Sequence, residues 1–239
     1  MYRNQKVSIV LPVYNEKQGI RSVIDEFLSL PEVDEVVAVD NNSTDGSGEE
    51  IKKTRAKYVY EPIKGYGSAL QRGMREASGD IIITLDSDST YFADDLEKLL
   101  IYSNHFDAVF CTRTNRQLIS PGAFMPIPIR LGNWGEAKMI GFLFDGPTLT
   151  EVGCTFKLVK RSAYEKVKDS LTVKGSYFSP QLIIRLIQNG VRCVEIPVRY
   201  RKRVGSKGAT GTIWSSAKVG IKMGFLILRE RIQNGKKIK

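Results

Sequence analysis

Histidine is almost missing from this chain: His105 is the only one among 239 residues. That excludes zinc sites built on several imidazoles, and a Ser-His-Asp triad would have to use this one side chain. His105 sits in a polar helix-end stretch and reads as structural. Cysteine is scarce as well. Cys111, Cys154 and Cys193 form no Cys-x-x-Cys and no even framework, so the expected state is reduced and cytoplasmic. No uncharged apolar run reaches the roughly 18 residues of a membrane-spanning helix. Met1–Lys6 is polar and Val7–Val13 is short and ends in a Pro-containing turn, so no secretory leader is expected. Internal repeats and low-complexity tracts are absent too.

Acidic residues are missing from one place in particular. Between Arg199 and Lys239 there are twelve Lys or Arg and a single acid, Glu230. That segment carries +11 of a chain total of +10, which leaves residues 1–198 at −1. A near-neutral body with a basic tail suits an anionic membrane surface or a nucleic acid, or is simply a solvated end. The 42% hydrophobic and 26% charged fractions are those of a globular protein large enough to bury a core.

What is present is a rhythm of short β-branched runs and helical stripes. Strands are predicted at Val7–Leu11, Val36–Val39, Lys57–Tyr60, Ile81–Leu85 and Ala108–Thr112, with helices between them at Lys17–Leu30, Glu49–Thr54, Gly67–Ala77 and Ala93–Tyr102. This alternation argues for an α/β fold with a mostly parallel sheet covered on both faces. After residue 115 the rhythm breaks. Pro121, Pro126 and Pro128 mark a loop, Trp134–Phe144 reads as a helix, and Cys154–Val159 as a strand. Ser179 and Pro180 cap a helix ending at Asn189-Gly190, and Cys193–Pro197 is a last strand. Thr212–Ile232 is a tail helix. On it Lys218, Lys222 and Arg229 fall within about 40° of one another, while Ile213, Ala217, Ile221, Gly224 and Leu228 line a different face. That pattern suits a helix lying in a membrane interface or one packed on the domain.

Three predicted strand ends carry polar groups. Pro12-Val13-Tyr14-Asn15-Glu16 follows the first, Asp40 and Asp45 the second, and Asp86-Ser87-Asp88 the fourth. Parallel strands bring these ends to one rim, where ligands of α/β sheets collect. Paired carboxylates suit a hard cation such as Mg²⁺ or Mn²⁺, which binds through one or two carboxylates and substrate phosphates. Lys64-Gly65-Tyr66-Gly67-Ser68 adds a cation and flexible backbone ahead of a helix. Singly, each acid reads as a cap or turn residue. The ordered set fits a nucleotide diphosphate: a ring for the base, acids for base and ribose, a metal for the diphosphate.

Val7–Glu16, Val39–Ser47, Lys64–Ala69 and Gly79–Asp88 resemble the donor half of family 2 glycosyltransferases with the GT-A fold. Within that family the chain is similar to the polyprenol-phosphate sugar transferases, through Gly153-Cys154-Thr155-Phe156-Lys157-Leu158 and Arg203-Val204-Gly205-Ser206-Lys207. The similarity covers roughly residues 7–207, leaving 208–239 as the basic tail. It implies that Pro12, Tyr14 and Glu16 hold the base, that Asp40 and Asp45 serve base and ribose, and that Asp86 and Asp88 meet metal and diphosphate. It further implies that Arg113 and Arg130 meet an acceptor phosphate, with Arg203 and Lys207 closing over the site. Two departures stand out. The last loop is one residue short, so that Arg201 is an alternative to Arg203, and Thr90 stands where many relatives have a Gln assisting the metal.

The expected activity is inverting transfer of a hexose from a UDP- or GDP-linked donor to a polyprenyl or dolichyl monophosphate, at the cytoplasmic face of a membrane. A phosphate monoester is already anionic near neutrality and needs positioning by arginines, not a base. A family 2 enzyme acting on a sugar hydroxyl would need one, with Asp145 and Glu151 as candidates. A nucleic-acid binder built on the tail would leave the acidic rim unexplained, and no nucleic-acid partner is expected.

Overall fold

The computed structural model describes residues 1–205 and 212–234. Seven strands form one sheet: β1 (Val7–Val13), β2 (Glu35–Asp40), β3 (Lys57–Tyr60), β4 (Ile81–Thr84), β5 (Ala108–Thr112), β6 (Lys157–Lys160) and β7 (Cys193–Pro197). Their order is β3-β2-β1-β4-β6-β5-β7. Only β6 is antiparallel to its neighbours, pairing Ile83 with Leu158 on one side and Val109 with Leu158 on the other.

Alternation along β1 explains the layering. Val7, Ile9, Leu11 and Val13 enter one core with α1 (Ile20–Leu28), α2 (Ser47–Lys52) and α4 (Leu96–Ser103). Val10 enters the other, with α3 (Tyr66–Glu76), α5 (Ile127–Phe144), α6 (Arg161–Val167), α7 (Phe178–Gln188) and α8 (Ile213–Asn234). Both faces of the strand are thus buried, which is why it reads as a continuous apolar run and not as polar alternation.

The first half follows the sequence expectation closely, and the second half departs from it. The loop marked by three prolines is partly helix: α5 starts at Ile127, with Pro128 in its first turn, where a missing N–H costs nothing. The strand expected at Cys154 begins only at Lys157, and α6 follows it directly. Ser179 lies inside α7, where its hydroxyl donates to Val152 O at 2.6 Å; Tyr177 is the capping position.

The tail helix has two apolar faces. Met223, Leu226, Ile227 and the bonded Glu230 are buried against the domain, with Glu230 paired to Arg185 at 2.8 Å and Gln181 at 3.0 Å. The face expected to be the apolar one is largely outside: Ile213, Ile221 and Leu228 are exposed beside Trp214, Phe225 and Ile232. Lys218, Lys222 and Arg229 flank that second stripe. On α5, Ile127, Leu131, Trp134 and Phe142 form a similar exposed stripe. No helix among the described residues is long and apolar enough to cross a membrane.

Candidate active site

The C-terminal ends of β1, β2 and β4 share one rim, as their parallel register requires: Val13 lies beside Asp40, and Val10 beside Thr84. Each strand leaves the sheet through a tight turn. Asn15, Asn42 and Ser89, one in each turn, have φ of 57°, 61° and 62°. Left-handed backbone at non-glycine residues is costly and concentrates at functional sites.

A cavity of about 1030 Å³ opens at this rim. Pro12, Tyr14, Glu16, Lys64, Asp86, Asp88, Arg113 and Arg203 all line it. Asp40 and Asp45 do not. Asp40 accepts from Ser43 N (2.9 Å) and the Tyr58 hydroxyl (3.3 Å), and Asp45 from Lys17 N (3.0 Å) and Ser47 N (2.9 Å). Both shape the loop leading into α2. Arg130 turns to Thr114 O at 2.8 Å and faces a separate small pocket. Lys207 lies outside the described residues.

Asn41 staples the Lys64 segment down, donating to Glu61 O (3.1 Å) and Ile63 O (2.8 Å) and accepting from Gly65 N (2.7 Å). Lys64 Nζ then rests 5.1 Å from the centre of the Tyr14 ring. The glycines here serve chain packing. A Cβ at Gly65 or Gly67 would stand 2.2–2.3 Å from the carbonyl oxygens of Lys174 or Val173. Those neighbours also take up the first N–H groups of α3, with Gly67 N on Gly175 O and Ser68 N on Lys174 O, so the helix start is not an open phosphate cradle.

Burial pushes Asp86 up from the ordinary carboxylate range, while Thr155, Arg113 and Tyr66 act the other way. Asp88 is pushed to about 7, by burial first and by the Asp86 charge second. Two acids held this close need a cation to ionise together. Thr90 donates its N–H and hydroxyl to Asp88 Oδ1 at 3.1 and 2.6 Å. Arg203 donates to Asp88 Oδ2 at 2.7 Å and to Glu16. Arg201, the alternative, turns away to Ser89 O (2.6 Å) and Glu26 (2.8 Å).

Arg113 leaves the end of β5 clasped by Glu151; burial opposes its guanidinium charge most, but Glu151 together with Tyr91, Cys154 and Tyr200 holds it well above its ordinary value. Glu151 is therefore committed to an ion pair, and Asp145 is exposed at the end of α5.

Beyond Arg113 the cavity continues between α5 and α8. Phe124, Met125, Pro128, Ile129 and Gly132 form one wall, and Ile213, Ala217, Gly220, Ile221 and Met223 the other. At Gly132 a Cβ would meet nothing within 4 Å. Glycine inside a helix costs roughly 0.5–1 kcal/mol relative to alanine, so the space is kept at some expense. Glu136 is the carboxylate in this stretch; burial alone lifts it to about 8. Sequence reasoning missed Glu136, Gly132 and Gly220. Their signal is slight: an acid and two glycines at interior positions of apolar helices.

The family model for glycosyl transferase family 2 matches residues 8–168. A dolichyl-phosphate hexose transferase of Haloferax volcanii is 30% identical over 207 residues, covering 85% of this chain and 86% of that one. An undecaprenyl-phosphate 4-deoxy-4-formamido-L-arabinose transferase of Yersinia pestis is 30% identical over 173 residues, covering 67% and 50%. Among solved structures, glucosyl-3-phosphoglycerate synthase from Mycobacterium tuberculosis, in complex with Mn²⁺, UDP-glucose and phosphoglyceric acid, superposes with a TM-score of 0.72 at 18% identity, over 95% of this chain and 80% of that one.

Proposed function

The chain belongs to glycosyltransferase family 2, and we propose that it transfers a hexose from a nucleotide-diphosphate sugar to a polyprenyl monophosphate at the cytoplasmic face of a membrane. One observation carries this reading: a single cavity runs from the paired acids, past the buried Arg113, into an apolar groove between α5 and α8. The first part suits a nucleotide diphosphate, the arginine a phosphate, and the groove a hydrocarbon chain.

Asp86 and Asp88 fit a divalent ion. Both offer carboxylate oxygens from the turn that follows β4, and a guanidinium already sits on Asp88 as a stand-in cation. No cluster of three or more His, Cys, Asp or Glu suited to a metal occurs among the described residues, so a Mg²⁺ or Mn²⁺ ion would take its other ligands from phosphate and water. When bound, such an ion supplies charge neutralisation for the departing nucleotide diphosphate. Tyr14 and Lys64 flank the base and phosphates of the donor. Arg113 holds the acceptor phosphate so that one oxygen faces the anomeric carbon. That oxygen forms the new C1–O bond as the bond to the nucleotide diphosphate breaks, and the configuration inverts. No proton need be removed, because a phosphate monoester is already anionic.

The rival reading, a sugar-hydroxyl acceptor, requires a base. Asp145 and Glu151 do not line the cavity, which leaves Glu136 as the carboxylate on the acceptor side. The membrane surface is supported by the exposed stripes of α5 and α8 with their flanking lysines.

The test is a panel of labelled UDP- and GDP-sugars given with polyprenyl phosphate and Mn²⁺, with and without chelator. Label is expected in the organic phase only with metal, and is expected to vanish in a folded Asp88→Ala variant. Absence of label there with every donor removes the lipid reading. Loss of all turnover in Glu136→Gln favours the hydroxyl acceptor.

A further inference from the structure

Arg203 crosses the rim from the segment after β7. One terminal nitrogen donates to Asp88 Oδ2 at 2.7 Å and the other to Glu16 Oε1. Asp88 Oδ1 is already filled by Thr90. Both oxygens of this carboxylate are therefore in use, and the one turned from Thr90 lies under a guanidinium. The contact is strong but incomplete. Glu16 Oε2 and Arg203 Nε are buried with no hydrogen-bond partner, and unsatisfied buried polar atoms are rare in a bridge whose only task is stability. The backbone holds the arm in place: Val204 N donates to Asp88 O at 3.1 Å, and the next residue, Gly205, has φ of 91°. Upstream, Arg199 on Asp95 and Arg201 on Glu26 anchor the segment away from the cavity. Arg203 alone of the three arginines reaches the paired acids.

We propose that Arg203 is the resident cation of the metal seat: a divalent ion and this guanidinium exchange at Asp88 Oδ2, and each excludes the other. The inference rests on the reading of Asp88 as a metal ligand. Two consequences follow from charge alone. A free metal ion must displace a charge-assisted hydrogen bond to enter, so the chain binds it weakly until a nucleotide diphosphate supplies further oxygens. The displaced guanidinium, with its five donors, is then released beside the phosphates that gather in the same cavity.

The experiment is Mn²⁺ binding without nucleotide, followed by the electron paramagnetic resonance of free Mn²⁺. Arg203→Ala is expected to tighten binding at least about tenfold over wild type, the equivalent of one charge-assisted hydrogen bond. Lys202→Ala removes a charge from the same cavity wall without touching Asp88 and measures the general electrostatic contribution; it is expected to change affinity less than about threefold. If Arg203→Ala does not fold, Glu16→Gln loosens the same arm from its other end and is expected to tighten Mn²⁺ in the same direction. Equal affinity in wild type and in the arm variants, or a gain matched by Lys202→Ala, overturns the exchange. Asp88→Ala separates the two failures. If it abolishes Mn²⁺ binding while the arm variants behave as wild type, the metal seat stands and only the exchange falls; if Asp88→Ala binds as wild type does, both fall.

Discussion

Glu151 closes on Arg113 from three directions: it accepts the main-chain N–H of Arg113 at 2.5 Å, the Nε at 3.0 Å, and a terminal nitrogen. The guanidinium also faces the Tyr200 ring at 4.8 Å. An arginine held this way presents its remaining donors in one orientation, and little entropy remains to be lost when an anion arrives.

Glu195 on β7 stands behind this clasp. Its carboxylate accepts Thr150 N at 2.8 and 2.9 Å, the Thr150 hydroxyl at 2.6 Å and Glu151 N at 3.0 Å. Glu195→Gln places an N–H₂ among these donors and leaves at least one of them unpaired, a cost of about 1–3 kcal/mol. Acceptor KM is expected to rise at least about fivefold with donor affinity unchanged, since the loss acts through Arg113. Steady-state kinetics in acceptor, paired with calorimetry of nucleotide binding, reads the split. An unchanged acceptor KM with weakened nucleotide binding would contradict it.

Glu136 makes stability depend on pH. Its carboxyl lies at about 8 in the folded chain, above the ordinary 4.5. Between those values the folded state holds a proton that the unfolded state has lost, so this group's contribution falls as pH rises from about 4.5 to about 8 and then levels off. Glu136→Gln removes the dependence. The variant is expected to melt with the wild type near pH 4.5 and several degrees above it near pH 9. Thermal melts across this range decide the matter, and parallel curves would show that the group is not protonated in the fold.

Gly132 keeps the groove open. Gly132→Leu fits the helix and fills the space, so transfer to a long-chain polyprenyl phosphate is expected to fall about tenfold or more while a short-chain phosphate acceptor is affected little. Equal losses on both acceptors would place the chain elsewhere.

The outer stripe of α8 is expected to hold the protein on lipid. Trp214→Glu with Phe225→Glu charges two exposed positions that do not line the groove and leaves the buried face intact. Flotation with vesicles containing anionic lipid is expected to drop sharply, with melting temperature and nucleotide binding preserved. Undiminished flotation would assign membrane contact to another surface.

The acidic end of the cavity is legible in the sequence. A parallel strand buried on both faces has to be an apolar, β-branched run, and the chain has to turn where that run stops. The polar groups at Tyr14, Glu16, Asp86 and Asp88 therefore announced a shared rim. The roles read for Asp40 and Asp45 were a different case: an Asp at a strand end looks the same whether it faces a ligand or binds its own loop, and here both bind the loop.

The rest depended on contacts between distant segments, which no local pattern encodes. Pro128 signalled a break yet starts α5, because the first turn of a helix needs no N–H from it. The choice between Arg201 and Arg203 turned on where residues 199–205 cross the rim. Glu136 became a half-buried acid only when α8 closed over α5, and the tail helix divided its apolar residues between core and solvent only once the domain covered one side of it. Periodicity records how many faces an element must hide locally; which face meets which partner is decided by packing across the whole chain.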